Sequence, residues 1–157
     1  MSVRGSVSKL AAGLLLCLVA AAPAQAGDKG SLGDAWQKAF KAGDLDGVMK
    51  LYANDAVAWL PGEPEARGAD AIRATYKSWF DAYSVVDVAL KNEHRESDGK
   101  HSSGWGNYSL TLKSKADGKT SSSTGRYTDI TELRGKQWLY IVDHASDDPP
   151  PKAAATK

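Results

Sequence analysis

The spacing of apolar residues changes rhythm twice along the chain. Leu10–Ala22 is continuously apolar, with no period. From Ser31 the rhythm becomes helical: Leu32, Ala35, Trp36, Ala39 and Phe40 share one face, which predicts an amphipathic helix capped by Ser31 or Asp34 and ended before Gly43. Gly43-Asp44 stops that helix and caps a second, in which Leu45, Val48, Met49 and Tyr52 recur at the same spacing. Asn54-Asp55 turns the chain into a short apolar strand, Ala56–Leu60, broken by Pro61, Gly62 and Pro64. After Arg67-Gly68 a third helix carries Ile72, Tyr76, Trp79, Phe80 and Tyr83 on one face.

From Ser84 the period is two. Val86, Val88 and Leu90 alternate with Asp87, Ala89 and Lys91, and Asp98-Gly99 predicts a hairpin turn. A second strand runs through Trp105, Tyr108, Leu110 and Leu112, and a turn at Ala116–Lys119 follows. Strands over roughly Ser121–Leu133 and Trp138–Ser146 are joined by Arg134-Gly135-Lys136. Helices followed by an antiparallel meander predict an α+β domain with its helices on one face of a sheet. Residues 148–157 hold three prolines and no apolar period, which predicts a disordered tail.

The leading apolar run changes what the composition means. Arg4 and Lys9 precede it and Ala24-Gln25-Ala26 follows it, so residues 1–26 read as a signal peptide cleaved after Ala26. A bilayer crossing needs about 20 apolar residues, more than this run supplies. Leu14-Leu15-Leu16 stand before Cys17 where a lipoprotein signal wants small residues. The expectation is a protein exported to the periplasm or secreted, with one domain over 27–147. Cleavage leaves the last 131 of 157 residues, with no cysteine, which excludes disulfides, thiol nucleophiles and thiolate metal sites. Losing Arg4 and Lys9 turns a formal charge of +1 into −1, with 18 basic against 19 acidic residues, so neither nucleic acid nor a membrane surface is an expected partner. Five Trp and six Tyr are enough large rings to line a cavity or fill a core.

Tyr52-Ala53-Asn54-Asp55-Ala56, the strand closed by Pro61, and Arg67-Gly68-x-x-x-Ile72 together resemble the nuclear transport factor 2-like superfamily, in particular its SnoaL-like and ketosteroid-isomerase-like members. The resemblance extends over most of residues 31–147. It implies a cone-shaped α+β barrel of the cystatin-like kind, with three N-terminal helices on a curved antiparallel sheet around a conical pocket. Ketosteroid isomerases use three inward side chains, and their positions fall on Trp36 (an oxyanion-donating tyrosine), Leu60 (the carboxylate base) and Asp129 (a neutral carboxylic acid). Leucine cannot accept a proton, so allylic isomerisation by that route is not expected. Tyr52 and Tyr76 keep the tyrosines of the family's second and third helices.

Period two puts Tyr127 and Asp129 on one face, which the resemblance turns into the pocket. Burial there predicts a raised Asp129 pKa unless an arginine compensates. Asp143 and His144 are adjacent and must point to opposite faces. If Asp129 opposes Asp143, two carboxylates meet; if it opposes Val142, the partner is His144. The resemblance turns Asp143 and Ala145 inward, making Asp129 and Asp143 the candidate acid–base pair. Candidate ligand contacts are Trp36, Tyr52, Leu60 and Tyr76 from the first half. Trp105, Tyr108 and Tyr127 follow from the strands, with a bulge at Gly104 or Gly106 to turn both Trp105 and Tyr108 inward.

Glu63 and Glu65 are alternative bases at the pocket mouth. His94 and His101 flank a hairpin without a third ligand, so no metal or other cofactor is expected. Trp59, Val85 and Val88 form a candidate outer apolar patch for a homodimer, since this fold often pairs through its sheet. The expected function is binding of a small apolar or aromatic ligand. The alternatives are an isomerase, dehydratase or hydrolase using Asp129 with Asp143, or a dimerising assembly module.

Overall fold

The structure is a computed structural model, and it describes residues 31–150. Helix α1 (Leu32–Lys41) opens on Ser31, whose side chain accepts from the Asp34 backbone while the Asp34 carboxylate accepts from the Ser31 N–H. The two residues offered as alternative caps are therefore the two halves of one capping box. Helix α2 (Leu45–Met49) is capped by Asp44, which accepts from the Gly47 N–H. It is shorter than its apolar stripe predicts. Tyr52 belongs instead to the first strand, β1 (Tyr52–Trp59), which starts four residues earlier than the apolar run Ala56–Leu60 suggests. A two-residue strand, β2 (Ala66–Arg67), was not legible, and helix α3 (Ala69–Ala82) follows from Gly68.

Four long strands complete the fold: β3 (Tyr83–Ser97), β4 (His101–Ser114), β5 (Thr120–Arg134) and β6 (Gln137–Asp147). They form the predicted meander in a six-stranded sheet of order β2-β1-β6-β5-β4-β3. Two features depart from expectation. β1 joins β6 in parallel, so the sheet is mixed. β2 and β3 lie at opposite edges and do not pair, so the cone is open rather than a closed barrel. Register shifts in β3, at Val85/Asp87 and Lys91/His94, bend the long strands around the helices. Asn92 takes a positive φ of 49° inside the second.

The core lies between helices and sheet. Phe40, Val48, Ile72 and Tyr76 are almost completely buried, and Phe40 stacks on Trp36 at 4.8 Å between ring centroids. Val88 is buried in this core and Val85 packs against it, so neither belongs to an outer patch. The large hydrophobic residues left exposed on the sheet are Trp59, Trp105 and Ile130, with Val86 and Tyr83 toward the β3 end.

The predicted signal peptide, residues 1–26, lies outside the described residues. Of the predicted tail, residues 151–157 also lie outside them. Asp148 is not loose: its backbone donates to Thr124, and its carboxylate accepts from Thr124 and pairs with Arg126. No helix among the described residues is long and apolar enough to cross a membrane.

Candidate functional site

The strand register sets up the site. One row across the inner face runs Arg95 on β3, Gly104 on β4, Asp129 on β5, Asp143 on β6 and Ala58 on β1. Asp129 thus opposes Asp143, and the alternative pairing with His144 does not occur. His144 lies on the outer face, edge-on to Trp59 at 6.4 Å. Arg95 reaches Asp129 over Gly104 and makes two bonds of 2.9 Å with it. A Cβ on Gly104 would stand 2.4 Å from Arg95 Nη2 and 2.6 Å from Asp129 Oδ2, so the missing side chain is what lets this pair form. Gly106 likewise clears the Tyr127 ring, and Gly125 the Tyr108 ring. The glycines of β4 mark clearance rather than the expected bulge, since β4 and β5 pair without a register shift.

A second row of polar groups runs from helices α1 and α3 to β1. Trp36 Nε1 donates to the Tyr76 hydroxyl at 3.1 Å, the Tyr76 and Tyr52 hydroxyls lie 2.7 Å apart, and the Tyr52 hydroxyl donates to Asp143 Oδ2. Between the two rows lies a cavity of about 70 Å³. Trp36, Leu60, Tyr76, Tyr108 and Tyr127 all line it, as does the pair Asp129 and Asp143. Tyr52 stands behind the wall, touching the cavity through Asp143. Trp105 does not line it: unbroken alternation along β4 leaves it on the outer face, 39 % exposed and stacked on His94 at 5.8 Å.

Two residues that shape the polar corner were not anticipated. Arg95 falls on the inner face only because the Lys91/His94 shift resets the alternation of β3. The signal available was the Asp98-Gly99 turn, which folds Arg95 back against Gly104. Tyr140 lines the cavity because a shift between Ile130 and Thr131 pairs Thr131 with Tyr140. Strict alternation from Asp143 would have put it outside.

Burial raises the Asp129 pKa, and the bonds and charge of Arg95 offset only part of that. Among the described residues Asp143 has no cation partner. Burial, reinforced by the charge of Asp129 and opposed by the Tyr52 hydrogen bond, lifts its pKa to about 6 from the ordinary 3.8. The folded state therefore holds this proton more tightly than the unfolded chain. The associated stability is complete below about pH 4 and is lost as pH rises to about 6, a change of roughly 3 kcal/mol. We expect Asp143→Asn to flatten the denaturation midpoint between these two pH values. An unchanged slope in the variant would mean that Asp143 is not the group titrating there.

The other candidates do not reach this corner. Glu63 accepts from Trp79 Nε1 at 2.6 Å, and Glu65 pairs with Arg67 at 3.0 Å. Leu60 lines the cavity but offers no proton acceptor. His94 and His101 do not meet: His94 stacks on Trp105, while His101 lies 3.6 Å from both Asp98 and Glu132. No cluster able to hold a metal exists among the described residues.

An open cone of α+β structure around an apolar cavity defines the class, that of the nuclear transport factor 2-like proteins. Solved structures agree on the fold. A Xanthomonas campestris protein provisionally assigned as a calcium/calmodulin-dependent protein kinase II association domain is similar at 26 % identity and TM-score 0.68, over 76 % of this chain and 85 % of that one. A ketosteroid isomerase-like protein from Erwinia carotovora atroseptica is similar at 22 % identity and TM-score 0.67, over 76 % and 92 %. A Novosphingobium aromaticivorans protein provisionally named a scytalone dehydratase shares the fold at 10 % identity and TM-score 0.69, over 80 % and 85 %. Within this class the chain belongs to the SnoaL-like domain family, which matches residues 34–141. No curated protein matches it.

Proposed function

We propose that this chain is an exported protein that binds a small apolar or aromatic molecule bearing one polar group. The observation that carries the reading is the aromatic-walled cavity with the Asp129–Asp143 row at one end. Apolar walls supply affinity through burial, and a few convergent polar groups fix orientation. Ala145 lines the same cavity, and a phenylalanine there fills it. The native protein should gain thermal stability with members of a panel of small aromatic and aliphatic metabolites, and Ala145→Phe should lose that gain while keeping its far-ultraviolet circular dichroism. A shift of the same size in the filled variant would place binding elsewhere.

A second reading is supported by the Asp143 pKa near 6 and its bond to Tyr52: acid–base catalysis of the dehydratase, isomerase or hydrolase kind. Turnover would then follow ionisation of Asp143 and vanish in Asp143→Asn.

The export half of the proposal rests on residues 1–26. The partner half is a homodimer formed through the outer face, where Trp59, His144, Thr128, Trp105 and His94 form a row across five strands. A mature mass starting at Gly27 and a sedimenting mass of two chains are the expected results. An intact N-terminus or a single-chain mass would refute the respective half.

A further inference from the structure

Asp129 and Asp143 face each other, but their surroundings are unequal. Both oxygens of Asp129 are occupied by Arg95, and that pair carries no net charge. Asp143 accepts one hydroxyl, from Tyr52, on Oδ2. Among the described residues its Oδ1 has no hydrogen-bond partner, and no cation stands within ion-pair distance of it. No buried side-chain oxygen in the described residues is left unsatisfied, so this oxygen is open to the cavity that Asp143 lines. The Tyr140 hydroxyl is in the same position: it lies at the cavity with no hydrogen-bond partner among the described residues. The rest of the wall is half aromatic, with Trp36, Phe40, Tyr76, Trp79, Tyr108 and Tyr127, and half aliphatic.

An ionised carboxylate inside such a wall lacks the countercharge that buried charges require. Aromatic ring faces carry the negative side of their quadrupoles, which attract cations and repel anions. From this geometry we infer that the cavity selects a small organic amine, its ammonium group donating to Asp143 Oδ1 and its alkyl or aryl body lying on the rings. The inference rests on the ligand-binding reading above and narrows its chemical class. A neutral alcohol or ketone leaves the Asp143 charge unmatched, and a carboxylate ligand adds to it. A volume of about 70 Å³ limits the enclosed part to a compact head group.

Affinity follows the ionisation of Asp143. The titratable and charged groups around it are Tyr52 from β1, Tyr76 from α3, Asp129 from β5 with its partner Arg95 from β3, and Tyr140 from β6 itself. Burial raises all three tyrosines above their ordinary range, so they stay neutral. Acidification protonates Asp143 and weakens amine binding.

Isothermal titration of the purified protein with n-butylamine and benzylamine, against 1-butanol and benzyl alcohol, tests the class directly. Each amine should bind at least tenfold more tightly than its alcohol at pH 7.5, and the gap should close at pH 5.0. Asp143→Asn, close in shape to the native residue, should erase the gap between amine and alcohol. Equal binding of amine and alcohol to the native protein overturns the cation class while the cavity remains a ligand site. Absence of heat with all four compounds overturns the ligand-binding reading as well. The native comparison at pH 7.5 decides the matter even if the variant does not fold.

Discussion

Arg95→Met lowers stability by about 3 kcal/mol at pH 7.5, because removing one member of a buried pair strands the other. Asp129 is 4 % exposed and spends both oxygens on Arg95. The Arg95 side chain is still 39 % exposed, which keeps the expected cost at the low end for such pairs. Without the guanidinium, Asp129 must keep a proton in the folded state. Its pKa is already raised by burial and rises further when the offsetting charge is removed. A raised folded pKa makes the bound proton a source of stability at low pH that is lost as pH rises, so the deficit should shrink on acidification. In the double variant Arg95→Met/Asp129→Leu most of the lost stability should return, since apolar side chains replace both charges. Chemical denaturation of the three proteins at pH 7.5 and 4.5 provides the measurement. A deficit equal at both pH values would place the effect in lost packing of the arginine stem rather than in the stranded carboxylate.

Phe40→Ala is the second large effect, expected to cost about 4 kcal/mol. Phe40 is 1 % exposed and touches four rings from two helices: it is stacked on Trp36, meets Tyr76 and Trp79 edge-on at 6.0 and 6.3 Å, and lies tilted against Phe80 at 5.4 Å. It also lines the cavity, so its loss joins a new void to an existing one. Neighbouring rings cannot close that space without leaving their hydrogen bonds, Trp36 to Tyr76 and Trp79 to Glu63. A small domain has about 5–15 kcal/mol in total, so the variant should remain folded with a clearly reduced midpoint. Dry apolar cavities take up benzene, and saturating benzene should raise the variant's melting temperature more than that of the native protein. A cost below about 1 kcal/mol would mean that helix α1 is held by its cap and its Lys41–Asp87 ion pair instead of by this cluster.

The departures from the sequence reading fall into a pattern. Caps and turns were legible because each acts over three or four residues: Ser31 with Asp34, Asp44 with Gly47, and Asp98-Gly99 at the β3–β4 hairpin. The inward face of β5 was legible from alternation alone, since Tyr127 and Asp129 precede its only register shift. A bulge at Gly104 or Gly106 would turn Trp105 inward, but β4 pairs with β5 without one, and simple alternation gives the observed outer position. The spacing of Tyr52 from Val48 and Met49 fits a helix, yet the chain leaves the helix at Met49 and the side chain reaches the core from β1.

By itself, then, the sequence determined the order of the helices and long strands, the α+β class, the absence of a proton acceptor at Leu60 and the family. Local hydrogen bonding and side-chain periodicity settle those matters within a few residues. Tertiary structure alone decided that Asp143 and not His144 faces Asp129, that Arg95 neutralises one carboxylate and leaves the other bare, and that Tyr140 turns inward. Each depends on strand register, where one residue of slip or one bulge reverses every side chain beyond it, and register is set by pairing between segments far apart in the chain.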